Sequence, residues 1–249
     1  MTTLLARHLN FIIGDTLWTG MDDKPVDSPW RKYINEPGLI TFYAGNECPI
    51  VLEKALALEI IDDSTFDYLC EHLDEEERAA SITFNTEGEF LPQMSNDWGS
   101  IELTANSDSY ILHAGTGGKP AAEFYVNSVG IPFANETMRL EASMTAAFAA
   151  DKCSGGSISL KTWGEEASQI DNLIPVCVLY KQQLEKEISE YMQFVNEEED
   201  MKKQENKSKA ALKSTRKTSL GVNGSKFNSQ AALERAAARK AYRAEMAAR

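Results

Sequence analysis

Ile101-Glu-Leu-Thr104, Tyr110-Ile-Leu-His113 and Glu123-Phe-Tyr-Val126 decide the fold class. Each is short and rich in residues that suit a half-buried strand. Turn-forming residues separate them: Asn106-Ser-Asp-Ser109 before the second, and Gly115-Thr-Gly-Gly-Lys-Pro120 before the third. The pattern predicts an antiparallel β meander within 81–131. Working outward, Gly38-Leu-Ile-Thr-Phe-Tyr43 and Ser157-Ile-Ser-Leu160 predict further strands.

Helical periodicity fills much of the rest. Leu5, Leu9, Ile12 and Ile13 predict a short helix over 4–13, and 14–36, with Trp18 and Trp30, a structured loop. Pro49 suits the first turn of a helix carrying Leu52, Ala55, Leu56 and Ile60. A second helix, over 64–79, takes Ser64 as its N-cap and buries Phe66, Leu69, Cys70 and Leu73. Asn135 caps a helix over 136–151. Leu184, Ile188, Tyr191 and Val195 predict a long helix at about 180–204. The sum is an α+β fold: one acidic globular domain over 1–200, its β meander flanked by helices.

The 249 residues can bury roughly 70% of their unfolded surface, so no disulfide or metal is needed to fold. No apolar run reaches 18 residues, which excludes a spanning helix. Arg7, His8 and Asn10 interrupt any signal-peptide core, and the four cysteines are scattered. A reducing, cytoplasmic location is the expectation.

Charge divides the chain. Residues 1–200 hold 12 Lys+Arg against 35 Asp+Glu, a net of −23; residues 201–249 hold 13 against 3, a net of +10. The basic part reads as a flexible linker over 201–228 and an Ala-rich helix over 229–249, capped by Ser229. Arg235, Arg239 and Arg243 recur every fourth residue, on one face, with Lys240 beside them. Lys202, Lys203, Lys207, Lys209, Lys213, Arg216, Lys217 and Lys226 precede them. Repeated cations on a pliable chain suit phosphate contacts without sequence selection. Phe227 and Tyr242 are the tail's only stacking aromatics. Basic residues before Thr218 and Ser219 also make 216–219 a candidate phosphorylation site.

The favoured function is a non-enzymatic regulatory binding protein acting around nucleic acid. Its tail meets phosphates or an acidic protein surface, and its acidic domain meets a protein partner. An alternative is a DNA-mimic inhibitor presenting Asp67, Glu71, Asp74 and Glu75 from the second helix. A third is an enzyme with His113 or His72 in a pocket beside a cysteine or carboxylate. The loop at 113–120 fails the Walker pattern, because Gly115 and Gly118 are too close and Pro120 replaces Ser/Thr. It reads as a hairpin loop. Cys70-Glu-His72 lacks a second ligand pair, so no metal and no cofactor are expected.

Overall fold

The computed structural model describes residues 2–19, 24–74, 76–103, 109–132, 135–163, 172–208 and 227–248, without side chains at 202–208. The α+β class holds. Two antiparallel sheets lie face to face, with helices on both outer faces.

The first sheet runs β10-β2-β1-β9-β8, from β1 (Leu4–Arg7), β2 (Phe11–Asp15), β8 (Gly99–Glu102), β9 (Tyr110–Ala114) and β10 (Ile158–Thr162). The second is β5-β6-β7, from β5 (Tyr33–Glu36), β6 (Leu39–Gly45) and β7 (Ala79–Asn85). A small hairpin pairs β3 (Trp18–Thr19) with β4 (Pro25–Val26). Between the sheets lie Leu4, Ile12, Phe42, Ile82, Phe84 and Leu112. The outer face of the first sheet carries α3 (Gly118–Ser128) and α4 (Glu136–Ala150), packed on Leu5, Phe11, Ile13 and Leu160. The outer face of the second carries α1 (Glu47–Ala57), α2 (Asp63–Cys70), α5 (Val178–Ser208) and α6 (Ser229–Ala248), gathered around Ile34 and Tyr43. Period-2 strands bury one set of side chains in each interface, which is why both faces of these sheets are apolar.

Several expectations are corrected. The predicted helix over 4–13 is the β1–β2 hairpin. Leu5 and Ile13 are partners across it, Asn10 N donates to Arg7 O at 3.1 Å, and Leu9 takes φ 56° in the turn. Their spacing fits either structure, and pairing with β9 and β10 selects the strand. Residues 123–126 are helical, since Ala121, Ala122 and Tyr125 bury one face of α3, with Tyr125 against Phe11 at 5.4 Å. The loop at 113–120 therefore joins a strand to a helix. The second helix stops at Cys70 and is capped by Asp62, whose carboxylate accepts from Thr65 N at 2.8 Å. Ser64 donates to that same carboxylate. Asn228 caps α6 in place of Ser229, accepting from Ala231 N at 3.0 Å. The predicted turn at 106–109 lies largely outside the described residues. No described helix is long and apolar enough to cross a membrane.

Candidate active site

The chain enters β1 through Thr2 and Thr3, both fully buried. A buried hydroxyl ordinarily finds a partner. Thr3 does: its Oγ1 donates to Ser154 Oγ at 2.8 Å and its N–H donates to Asp15 Oδ1 at 3.3 Å. Thr2 Oγ1 has none among the described residues. Thr2 instead lines a cavity of about 240 Å³ with Gly45, Asp97, Trp98, His113 and Thr116.

Two polar groups lie next to the threonines. In the first, at the end of β2, Asp15 Oδ1 also accepts from Lys32 Nζ at 3.1 Å, and Oδ2 accepts from Gly155 N at 2.8 Å. Lys32 Nζ further donates to Leu17 O and stands 5.0 Å from the Trp18 ring centroid. One carboxylate thus ties together the start of β1, a buried lysine and the loop before β10. Burial pushes the Lys32 ammonium below the ordinary lysine range, against the pull of Asp15. Burial likewise raises Asp15, against Lys32 and its backbone donors.

The second group centres on Asp151, just after α4. Its carboxylate accepts from Cys153 N at 3.0 Å, from Ser154 Oγ at 2.7 Å and from the Thr116 hydroxyl. Ser154 joins Asp151 to Thr3. The glycine loop makes this approach feasible. A Cβ on Gly115, whose φ is 77°, would stand 1.9 Å from Thr2 O, and one on Gly117 would stand 2.1 Å from Thr3 Oγ1. The glycines noticed in the sequence let backbone crowd the N-terminal threonines, with no Walker geometry.

Gly45 completes the corner. Tyr43 N donates to Lys32 O at 2.8 Å, and Asn46 N to Arg78 O at 2.8 Å. Alternation along β6 turns the intervening Gly45 N–H to the β5 side, beyond the first residue of that strand.

The residues singled out for nucleic acid lie elsewhere. Arg235 is buried in an ion pair with Glu53. Arg239, 3% exposed, donates to Thr83 Oγ1 at 3.0 Å. Arg243 meets Glu36 at 2.7 Å, Glu59 at 3.2 Å and the carbonyl of Ala57. Phe227 packs edge-on to Phe66 at 6.2 Å. Lys240 remains exposed, 3.9 Å from Asp63. Lys202, Lys203 and Lys207 fall in α5, where side chains are not described. Lys209, Lys213, Arg216, Lys217 and Lys226 lie outside the described residues, as do Thr218 and Ser219. Of the acidic stripe, Asp67 lies in α2 and Glu71 is its C-cap, so the helix ends before the stripe does, and Asp74 lies beyond it. Glu75 lies outside the described residues.

Of the histidines, His113 lines the cavity, and burial pushes its imidazole below the usual range. His8 accepts from Phe90 N at 3.1 Å, and His72 contacts Tyr68 O at 2.9 Å. Sequence reasoning missed Thr2, Thr3, Asp15, Lys32, Thr116, Asp151 and Ser154. The available signals were an acid directly after Phe11-Ile-Ile-Gly14, and two glycine pairs, Gly117-Gly118 and Gly155-Gly156, each preceded by a hydroxyl residue.

No protein family matches the sequence, and no curated protein matches it. Among solved structures, the chain is similar to the eukaryotic HslV from Trypanosoma brucei at 15% identity and a TM-score of 0.41, covering 64% of this chain and 98% of that one. It is also similar to BPH of Thiobacillus denitrificans at 15% identity and a TM-score of 0.42, covering 66% and 98%. BPH in complex with epoxomicin gives 14% identity and 0.44, covering 66% and 100%. The reading of a non-enzymatic regulator acting around nucleic acid is corrected here. The arginine face assigned to phosphates is turned onto the chain's own carboxylates, the Thr83 hydroxyl and the Ala57 carbonyl.

Proposed function

We propose that this protein is a hydrolase that cleaves amide bonds with the hydroxyl of Thr2 as nucleophile. The observation that carries the reading is Thr2 itself: its Oγ1 is buried without a hydrogen-bond partner among the described residues, and the residue belongs to the lining of a cavity. A free buried hydroxyl costs stability, and its retention at the edge of a polar network suits chemistry better than folding.

The reading requires Thr2 to carry a free α-amino group, so whatever precedes it must be removed. An α-amino group has an ordinary pKa of about 7.7–8.0, suited to a base near neutral pH. It takes the Thr2 hydroxyl proton as Oγ1 bonds to the substrate carbonyl carbon. The carbonyl oxygen becomes an oxyanion, for which the Gly45 N–H is the donor. Collapse breaks the C–N bond, and the ammonium returns its proton to the leaving amine. Water then attacks the acyl ester with the same amine as base, releasing the acid and restoring Thr2.

Lys32, held by Asp15, supplies positive charge on the side of Thr3, the next residue in the chain. Asp151, through Ser154, holds Thr3, and Thr116 joins the same carboxylate. The test is acylation of the processed full chain by a small β-lactone, read by intact and peptide mass. One acyl group on Thr2, absent from Thr2→Ala, is the expected result. An adduct that persists in Thr2→Ala, or none in the wild type, overturns the reading.

A further inference from the structure

The cavity beside Thr2 is the open end of the layer between the two sheets. Along three strands, the side chain facing that layer shrinks on approach to Thr2. Phe42 gives way to Ala44 on β6, Ile82 to Ala80 on β7, and Leu112 to Ala114 on β9. Each pair is two residues apart, so both members face the same layer. Ala44 and Ala80 are direct partners across β6 and β7, and Ala114 is the partner of Leu4 on β1. All three alanines line the cavity. Its floor is therefore apolar, with the large side chains of the core behind it.

Its wall is Trp98, an indole left 36% exposed. This ring is braced by a line of aromatic contacts: Phe90 edge-on at 4.9 Å, Phe84 on Phe90 at 5.7 Å, and Trp163 stacked on Phe84 at 5.1 Å. The charges on the lining do not select a sign. Arg78 turns a guanidinium nitrogen to the carbonyl of Glu77 at 2.8 Å, and Asp97 is exposed. His113 is held toward its neutral form by burial.

We propose that this cavity is a specificity pocket that takes one large apolar side chain, of the leucine or phenylalanine kind, from the peptide that Thr2 cleaves. Such a side chain continues the inter-sheet core onto Ala44, Ala80 and Ala114, and lies against Trp98. The gain is ordinary apolar burial, and Ala80 sets the size limit. The inference rests on the reading of Thr2 as the nucleophile.

The experiment uses the processed full chain and a mixture of synthetic peptides that vary at single positions, with products identified by mass. Bonds flanked by Leu, Met or Phe are cut faster than those flanked by Gly, Ala or Ser by at least about tenfold. Ala80→Leu fills the pocket and removes that preference, read within the variant as the ratio of cleavage at Leu-flanked to Ala-flanked bonds. Trp98→Ala, at a partly exposed site, weakens the preference and guards against misfolding of the first variant. Acylation of Thr2 with cleavage indifferent to side-chain size overturns the pocket and leaves the nucleophile standing. So does an unchanged preference in both folded variants. A wild type that is neither acylated nor active overturns both.

Discussion

Two regions of the molecule bury polar side chains at similar depth and treat them differently. Beneath α6, Arg235 meets Glu53, while Arg239 donates to the Thr83 hydroxyl and keeps a buried Nη1 without a partner among the described residues. At the start of β1, Asp15 is matched with Lys32 and with the Thr3 N–H, while Thr2 Oγ1 has no partner among the described residues and Thr2 lines a cavity. The first arrangement attaches a helix. The second leaves one reactive group without a competing partner. An unpartnered buried oxygen does not by itself separate the two, since Tyr43 Oη under α6 is another; the space beside it does, about 10 Å³ at Tyr43 against about 240 Å³ at Thr2.

The comparison predicts opposite outcomes for substitutions at the two regions. Thr2→Ala abolishes acylation and lowers peptide cleavage by at least about 1,000-fold, measured by product formation. Its stability in urea is unchanged or slightly raised, because the lost hydroxyl had no partner to leave behind. A large loss of stability in this variant would place Thr2 with the structural groups instead.

Glu53→Ala does the reverse. It leaves the Arg235 guanidinium buried without its carboxylate, and it costs about 3–5 kcal/mol in urea unfolding. Cleavage by the folded fraction is retained.

Lys54 sharpens the contrast through pH. Its side chain is fully buried under the Tyr43 ring, donates to Arg31 O, and burial pushes its pKa down to about 7, with Arg31 adding to the shift. In the unfolded chain it returns to its usual value of 10.5. Between these values the unfolded state binds the extra proton, so this group makes stability rise with pH from about 7 to 10.5. Lys54→Met should remove that rise, read as melting temperature against pH. A rise that persists in the variant would show that it comes from other groups.

The smallest effect belongs to Lys240→Ala. The ion pair with Asp63 spans 3.9 Å between side chains more than half exposed, so its loss changes urea stability by less than about 1 kcal/mol. A larger loss would mean that α6 docks through its rim as well as through Arg235 and Arg239.

Elements with one consistent signal were legible. β6 and α5 follow from an apolar run and a long 3.6-residue period, and the structure has each near its predicted span; α4 follows from its Asn cap, although 138–142 also alternates as a strand would. The β1–β2 hairpin and α3 were not. Leu5, Leu9, Ile12 and Ile13 fit a helix or two strands, and Phe124-Tyr125-Val126 favours strands locally while Ala121 and Tyr125 bury a helical face. The site was legible only as a glycine-rich loop. Asp15 and Lys32 are 17 residues apart in sequence, and Thr3 and Ser154 are 151 apart, so no local spacing announces them.

The sequence by itself determined the α+β class, the helical terminal segment, and the division of charge at residue 200, because composition and short-range periodicity are properties of neighbours along the chain. Only the tertiary structure decided where that charge goes. It pairs Arg235 with Glu53 across 182 residues and brings the loops at 113–118 and 151–156 around Thr2 and Thr3. Those contacts depend on which faces two sheets and their helices bury together, and burial is decided by the whole chain at once.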